Sequence, residues 1–205
     1  MLATCNAGTC CAMARDENVD DVGFLRAVLA DVSQRADVQP ERVYAIGMSN
    51  GAMMAYRLAC EAGDVFRGIM AVAGTDNTTR CAPQHPVPIL HVHARDDDRV
   101  LFQGGAGEKF RRADLVADFV SVPKTIERWV ALNNAEPMAR PVLTVPGANC
   151  ELHAGRAGGA PVQLCTTDSG GHSWPGGKKG RGNAVPSHAI RANDVMWDFF
   201  ARLPS

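Results

Sequence analysis

Three side chains with complementary chemistry occur in a telling order: a hydroxyl between glycines, a run of aspartates, and an imidazole in a glycine-rich stretch near the end. The hydroxyl belongs to Gly47-Met48-Ser49-Asn50-Gly51, a G-x-S-x-G spacing. Before it, Val43-Tyr44-Ala45-Ile46 is a short apolar run of β-formers, and after it Ala52 to Cys60 carries helix formers without Gly or Pro. In a strand–turn–helix setting this spacing makes a nucleophile elbow, whose tight turn calls for minimal flanking side chains and lifts Ser49 Oγ above the sheet. The helix start directs unpaired N–H groups and the positive end of its dipole toward developing negative charge. The N–H of Asn50, next after the nucleophile, is the expected oxyanion-hole donor. Gly-rich turns also join strands to helices with no chemistry attached, so the serine needs a base and an acid.

The base must lie within hydrogen-bond reach of the serine, and a carboxylate must fix its tautomer. The expected chain order is Ser, acid, His, with the last two on loops after later strands. Ile89-Leu90-His91-Val92-His93 is a buried-strand pattern, and Ala94-Arg95-Asp96-Asp97-Asp98 follows at its carboxyl end, where open α/β sheets bind ligands. The three aspartates cannot all face the site; those that do not are expected as solvated charges or turn formers. Val162 to Thr166 is the expected last strand, and the loop from Asp168 to Gly177 can swing His172 over the elbow. His91 and His93 lie within a strand as core or near-site residues, His85 and His188 stand near prolines in loops, and His153 is on a hairpin; its position after the last strand favours His172 as base. Met48, beside the nucleophile, and Trp174, two after the base, are candidate substrate-binding residues, although Trp174 could equally serve packing.

These groups need a sheet to hold them. A helix is expected from Asn18, as cap, with Asp20 and Asp21 in its first turn and an apolar stripe of Val22, Leu25, Val28, Leu29 and Val32. Gly68 to Ala73 is a second buried strand, Gly104 to Asp118 an irregular charged stretch, and Thr125 to Leu132 a helix with Ile126, Trp129 and Val130 on one face. Val142 to Val145 and Cys150 to His153 pair as an antiparallel hairpin, and Ala189 to Leu203 is the closing helix. Apolar strands alternating with helices indicate a mainly parallel sheet covered on both faces.

The chain of 205 residues fits one domain, 1–205. A formal charge of −1 gives no electrostatic reason to expect nucleic acid or an acidic membrane as partner. No apolar stretch is long enough to span a bilayer, and the first residues lack a basic-then-apolar export signal. The seven cysteines show no zinc spacing; they suggest disulfides and an exported protein, or else small buried hydrophobes. Cys150 and Cys165 are the best pair, on adjacent strands, and closing their loop is worth about 3 kcal/mol. A bond between the neighbours Cys10 and Cys11 would be strained, so Cys60 and Cys81 are their expected partners and Cys5 is left over.

Several segments together carry a family resemblance: Asn6 to Cys11, Val19 to Phe24, Arg42-Val43-Tyr44, Gly47 to Gly51, Leu58 to Glu61, Ser121-Val122-Pro123 and Gly170 to Gly176. They resemble the polyhydroxybutyrate-depolymerase and feruloyl-esterase family of α/β-hydrolases, from about Asn6 to the C-terminus. The resemblance implies a three-layer α/β-hydrolase sandwich with a mainly parallel sheet, no metal or organic cofactor, and a secreted or periplasmic serine esterase. Its substrates would be small-molecule or polymeric esters: short acyl, hydroxycinnamoyl or polyester. Against the family's strand-end pattern of two histidines, a glycine and an aspartate, His91 to Asp97 puts the acid at Asp97, with Ala94 where glycine is usual. Ser49 carries over as nucleophile and His172 as base, and Cys5 stands where tryptophan is frequent. The family also has earlier strands and a His-Gly loop that gives half of the oxyanion hole; this sequence begins beyond them. The expectation is a sheet without those strands, and an alternative function as a catalytically weak or inactive binding module. Oligomeric state stays open.

Overall fold

The computed structural model describes residues 4–108, 118–178 and 185–203. The elements begin with a short helix α1 (Ala12–Asp16), α2 (Asp21–Arg35) and a 3₁₀ turn at Pro40–Arg42. Next come β1 (Ala45–Met48), α3 (Asn50–Glu61), β2 (Ile69–Val72), β3 (Ile89–Ala94) and α4 (Val122–Leu132). The chain closes with β4 (Arg140–Val145), β5 (Ala148–His153), β6 (Val162–Thr167) and α5 (Ala192–Phe200). The six strands form one sheet in the order β1-β2-β3-β6-β5-β4. The first four in that order run parallel; β5 pairs antiparallel with both β6 and β4, so it alone of the six runs the other way. Part of the irregular stretch expected over Gly104 to Asp118 lies outside the described residues.

Successive residues of a strand face opposite sides of the sheet, and here the two sides feed two cores. Ile69, Ala71 and Ile89 pack with α3 and α4, around the fully buried Tyr56 and Trp129. Met70, Val72, Leu90 and Val92 pack with Val195, Met196, Phe199 and Phe200 of α5. The parallel centre is therefore covered on both faces, as its unbroken apolar strands require. The result is the α/β-hydrolase layering.

Several details differ from expectation, each for a local reason. The cap of α2 is Asp20, whose side chain accepts the Gly23 N–H at 2.8 Å, while Asn18, two residues earlier, takes a left-handed φ of 49°. The α2 stripe is only partly covered: Val22 is buried, but Val28 and Val32 are 41% and 44% exposed. Helix α4 begins before Thr125, because Ser121 caps it by accepting the Lys124 N–H and Pro123 suits the first turn.

The cysteine pairing needs one correction. Cys150 and Cys165 are direct cross-strand partners on β5 and β6 and form the expected disulfide. Cys60 does not reach for Cys10 or Cys11; it bonds Cys81. Cys60 lies in the last turn of α3, and the connection after β2 returns past that helix end, bringing the two Cα atoms to 4.9 Å. Cys10 and Cys11 are joined to each other, and Cys5 is free.

Candidate active site

The turn from β1 into α3 forces Ser49 to φ 57° and ψ −121°, a conformation costly for any residue with a side chain. It is held by the Ser49 N–H donating to Val72 O of the neighbouring strand at 2.9 Å. Gly47 is indispensable to this turn, since a Cβ there would meet Gly51 O at 2.1 Å. Gly74, after β2, is equally constrained: its Cβ would lie 2.3 Å from Ser49 O. Gly51 differs from expectation, because a Cβ at that position meets nothing within 4 Å. Of the two glycines flanking the serine, one makes room for the turn and the other does not.

Ser49 serves as N-cap of α3, so the amides of Asn50 and Gly51 have no intrahelical carbonyl to bond. Among the described residues neither amide has another partner. Two N–H groups at the positive end of α3 thus sit beside the serine, a ready site for an oxyanion. The Asn50 side chain is engaged elsewhere: its Oδ1 accepts the Cys5 N–H at 2.7 Å and its Nδ2 donates to Cys5 O at 2.9 Å. That pairing straps the start of the chain across the elbow. Further along the same strap, the Asn6 N–H donates to Asp21 Oδ2 and Asn6 O accepts from Arg57.

Of the three aspartates, Asp97 is the one that meets His172. Asp97 is buried, and its Oδ1 accepts the N–H groups of Arg99 and Val100 at 2.9 and 3.0 Å, a turn that orients the carboxylate. His172 Nδ1 lies 2.9 Å from Asp97 Oδ2 and 3.1 Å from Oδ1. His93 Nε2 stands 3.3 Å from Oδ2. Burial by itself would raise the Asp97 carboxyl; the hydrogen bonds from His172 and His93, with their charges, outweigh it and hold the group well below the usual carboxylate range. With Nδ1–H given to Asp97, Nε2 of His172 carries the free lone pair and is the basic nitrogen.

Asp96 has a part that reading the chain in one dimension did not provide. Its carboxylate accepts the amides of Gly170 and Gly171 at 3.3 and 2.8 Å, so it grips the loop carrying His172. The Ser173 hydroxyl closes the same loop on Gly170 O at 2.6 Å. Ser49, Asp97 and His172 follow the carboxyl ends of β1, β3 and β6, all parallel, and so share one end of the sheet. Among the described residues Ser49 Oγ and His172 Nε2 make no hydrogen bond with each other.

Met48 and Trp174 both pack against the core beneath α5, and the Trp174 indole N–H donates to Asn193 at 3.0 Å. Beside the His172 loop runs an open groove of about 650 Å³, lined by Asp96, Gly170, Gly171, Val185 and His188 among others. The metal-like cluster found among the described residues is Cys60, Asp76 and Cys81. Its sulfurs are consumed in a disulfide, and Asp76 is engaged by Trp129, Thr78 and Arg128, so it has no ligands to offer.

A model of the prolyl oligopeptidase family matches residues 13–85, a segment that holds the elbow but neither Asp97 nor His172. The chain is 31% identical to feruloyl esterase B of Piromyces equi over 85% of its own length and 32% of that protein. It is 34% identical to the putative esterase NocK of Nocardia uniformis subsp. tsuyamanensis, over 77% of this chain and 49% of that one. It is 25% identical to a probable feruloyl esterase C of Aspergillus niger, over 89% and 58% respectively. The chain thus spans between about a third and three fifths of the length of these relatives.

Proposed function

Because the chain belongs to the α/β-hydrolases and resembles their esterases in sequence, we propose that it is a serine carboxylic-ester hydrolase, a single catalytic domain acting through Ser49, His172 and Asp97. The observation that carries this reading is the backbone of Ser49, strained into an elbow at the end of the sheet where Asp97 already holds His172. His172 Nε2 takes the Ser49 proton, and Ser49 Oγ attacks the ester carbonyl. The amide of Asn50 stabilises the oxyanion. His172 then protonates the leaving alcohol, while Asp97 stabilises the imidazolium. The contact between Ser49 and His172 closes once substrate is bound, as catalytic hydrogen bonds often do.

Hydroxycinnamoyl esters are the preferred substrate class, supported by the feruloyl esterases among the relatives. Short acyl esters and polyesters share the same chemistry. Met48, beside the nucleophile, and Trp174, two after the base, are the residues proposed to line the acyl or the alcohol pocket. The Cys60–Cys81 and Cys150–Cys165 disulfides support an extracytoplasmic setting, and no helix among the described residues is long and apolar enough to cross a membrane.

Hydrolysis of p-nitrophenyl acetate and methyl ferulate by the wild type and by Ser49→Ala tests the proposal. Ester turnover should vanish in the variant; equal, slow rates would instead leave an inactive binding module, the reading favoured by the missing bond between Ser49 and His172. The prolyl oligopeptidase match favours peptide cleavage as a second chemistry, which an amide substrate in the same assay decides.

A further inference from the structure

The same strand that delivers Asp97 also carries two histidines, and neither touches Ser49 or His172. Alternation along β3 puts Ile89, His91 and His93 on the α3 side of the sheet, with Leu90 and Val92 on the α5 side. There the Tyr56 hydroxyl lies 2.7 Å from His91 Nδ1, and His91 Nε2 lies 3.1 Å from His93 Nδ1. His93 Nε2 lies 2.8 Å from Val100 O and 3.3 Å from Asp97 Oδ2. Tyr56, His91, His93 and Asp97 are all buried.

The end of this chain of contacts fixes its direction. A carbonyl only accepts, so His93 Nε2 carries a hydrogen that it donates to Val100 O, with Asp97 Oδ2 standing 3.3 Å away. A neutral His93 then offers Nδ1 as acceptor, which His91 Nε2–H fills. A neutral His91 in turn accepts at Nδ1 from the Tyr56 hydroxyl. Packing favours a neutral His91 and a neutral Tyr56. Burial, then the neighbouring His93, pushes the His91 ring well below the usual histidine range. Burial, then the Asp76 charge, pushes the Tyr56 phenol well above its own.

We infer that Tyr56, His91 and His93 are positioning residues, a one-way hydrogen-bond relay running from the helix that bears Ser49 to the carboxylate that orients His172. The inference rests on the triad proposed above. Tyr56 sits two turns beyond Ser49 on α3, so the relay ties the nucleophile's helix to the acid's loop across the intervening strand. On Asp97, the His93 ring stands 3.3 Å from Oδ2 while the Arg99 and Val100 amides bond Oδ1, which limits the carboxylate's freedom to rotate. Burying three polar rings is worthwhile only when every member is satisfied, and here each is.

Long-range nitrogen–proton spectra of the histidine rings, recorded on the full chain without substrate, test the direction of the relay. Both His91 and His93 should carry hydrogen on Nε2 alone; an Nδ1–H on either ring overturns the inference. Turnover of p-nitrophenyl acetate tests the role. Tyr56→Phe, which removes a single oxygen, should lower kcat about tenfold, and His93→Leu up to about a hundredfold, with KM changed by less than about twofold. His93→Gln, which restores a donor near the Nε2 position, should recover most of the loss. Rates for Tyr56→Phe within about twofold of wild type sink the positioning role even if His93→Leu fails to fold. A wild type no faster than Ser49→Ala would overturn the esterase reading instead, and the ring spectra would still decide the relay.

Discussion

The two halves of the proposed site are supported very differently. The half holding Asp97 and His172 lies in the middle of the sheet, between β3 and β6, with strands on both sides. Its carboxylate is gripped by two amides and two imidazoles, and its histidine loop by Asp96. The half holding Ser49 hangs from β1, the edge strand, where Ile46 is 47% exposed and the α2 stripe is only partly covered. There the serine depends on backbone strain, on Gly47 and on a strap of residues around Cys5. The contrast teaches that the acid–base pair is overdetermined, while the nucleophile is held from one side.

The sharpest way to break that comparison is at its strong half. Asp97→Asn should keep the fold but lower kcat by about 10⁴, because an amide presents the wrong hydrogen to His172. Steady-state kinetics and a thermal melt on the same sample check both parts. The same carboxylate gives the protein an acid limit. Its folded pKa lies below that of the unfolded chain, so its stabilising contribution is complete above roughly pH 4 and is lost as pH falls below that value. Melting temperature should therefore drop on acidification, and the drop should be shallower in Asp97→Asn.

At the weak half, Gly47→Ala should cost about 3 kcal/mol or more by driving a Cβ into Gly51 O, read as a lost or lowered unfolding transition. Asn50→Ala keeps the backbone amide but frees Cys5 from two hydrogen bonds. It should cost about 1–2 kcal/mol and make the N-terminal strap exchange its amides faster. The smallest effect belongs to Gly51→Ala, which meets open space and should be neutral or stabilising by up to about 1 kcal/mol. If Gly51→Ala proves as damaging as Gly47→Ala, the asymmetry between the two glycines is wrong.

What could be read in the amino-acid order follows the same division between local and distant contacts. The elbow was legible because strand, turn and helix are contiguous. The Cys150–Cys165 bond was legible because a hairpin pairs neighbours in register. Of the proposed triad, Ser49 and His172 follow from strand ends in the sequence and Asp97 from the family pattern, and all three follow the carboxyl ends of parallel strands. Distant relations were harder. Asp96 looked like a solvated charge, since nothing in one dimension says that the loop 74 residues later will lay two amides against it. Cys60 was assigned the wrong partner because its bond to Cys81 depends on how the connection after β2 returns past α3. The relay through His91 and His93 was visible only as two histidines in a strand, and needed Tyr56 from another element to acquire a direction.

Gly51 ends with a use of its own. Its empty surroundings, one residue beyond the Asn50 amide, make it an address for a spectroscopic reporter. A small fluorinated side chain installed there would report on the first turn of α3 as ester substrate is added, without crowding the turn behind it.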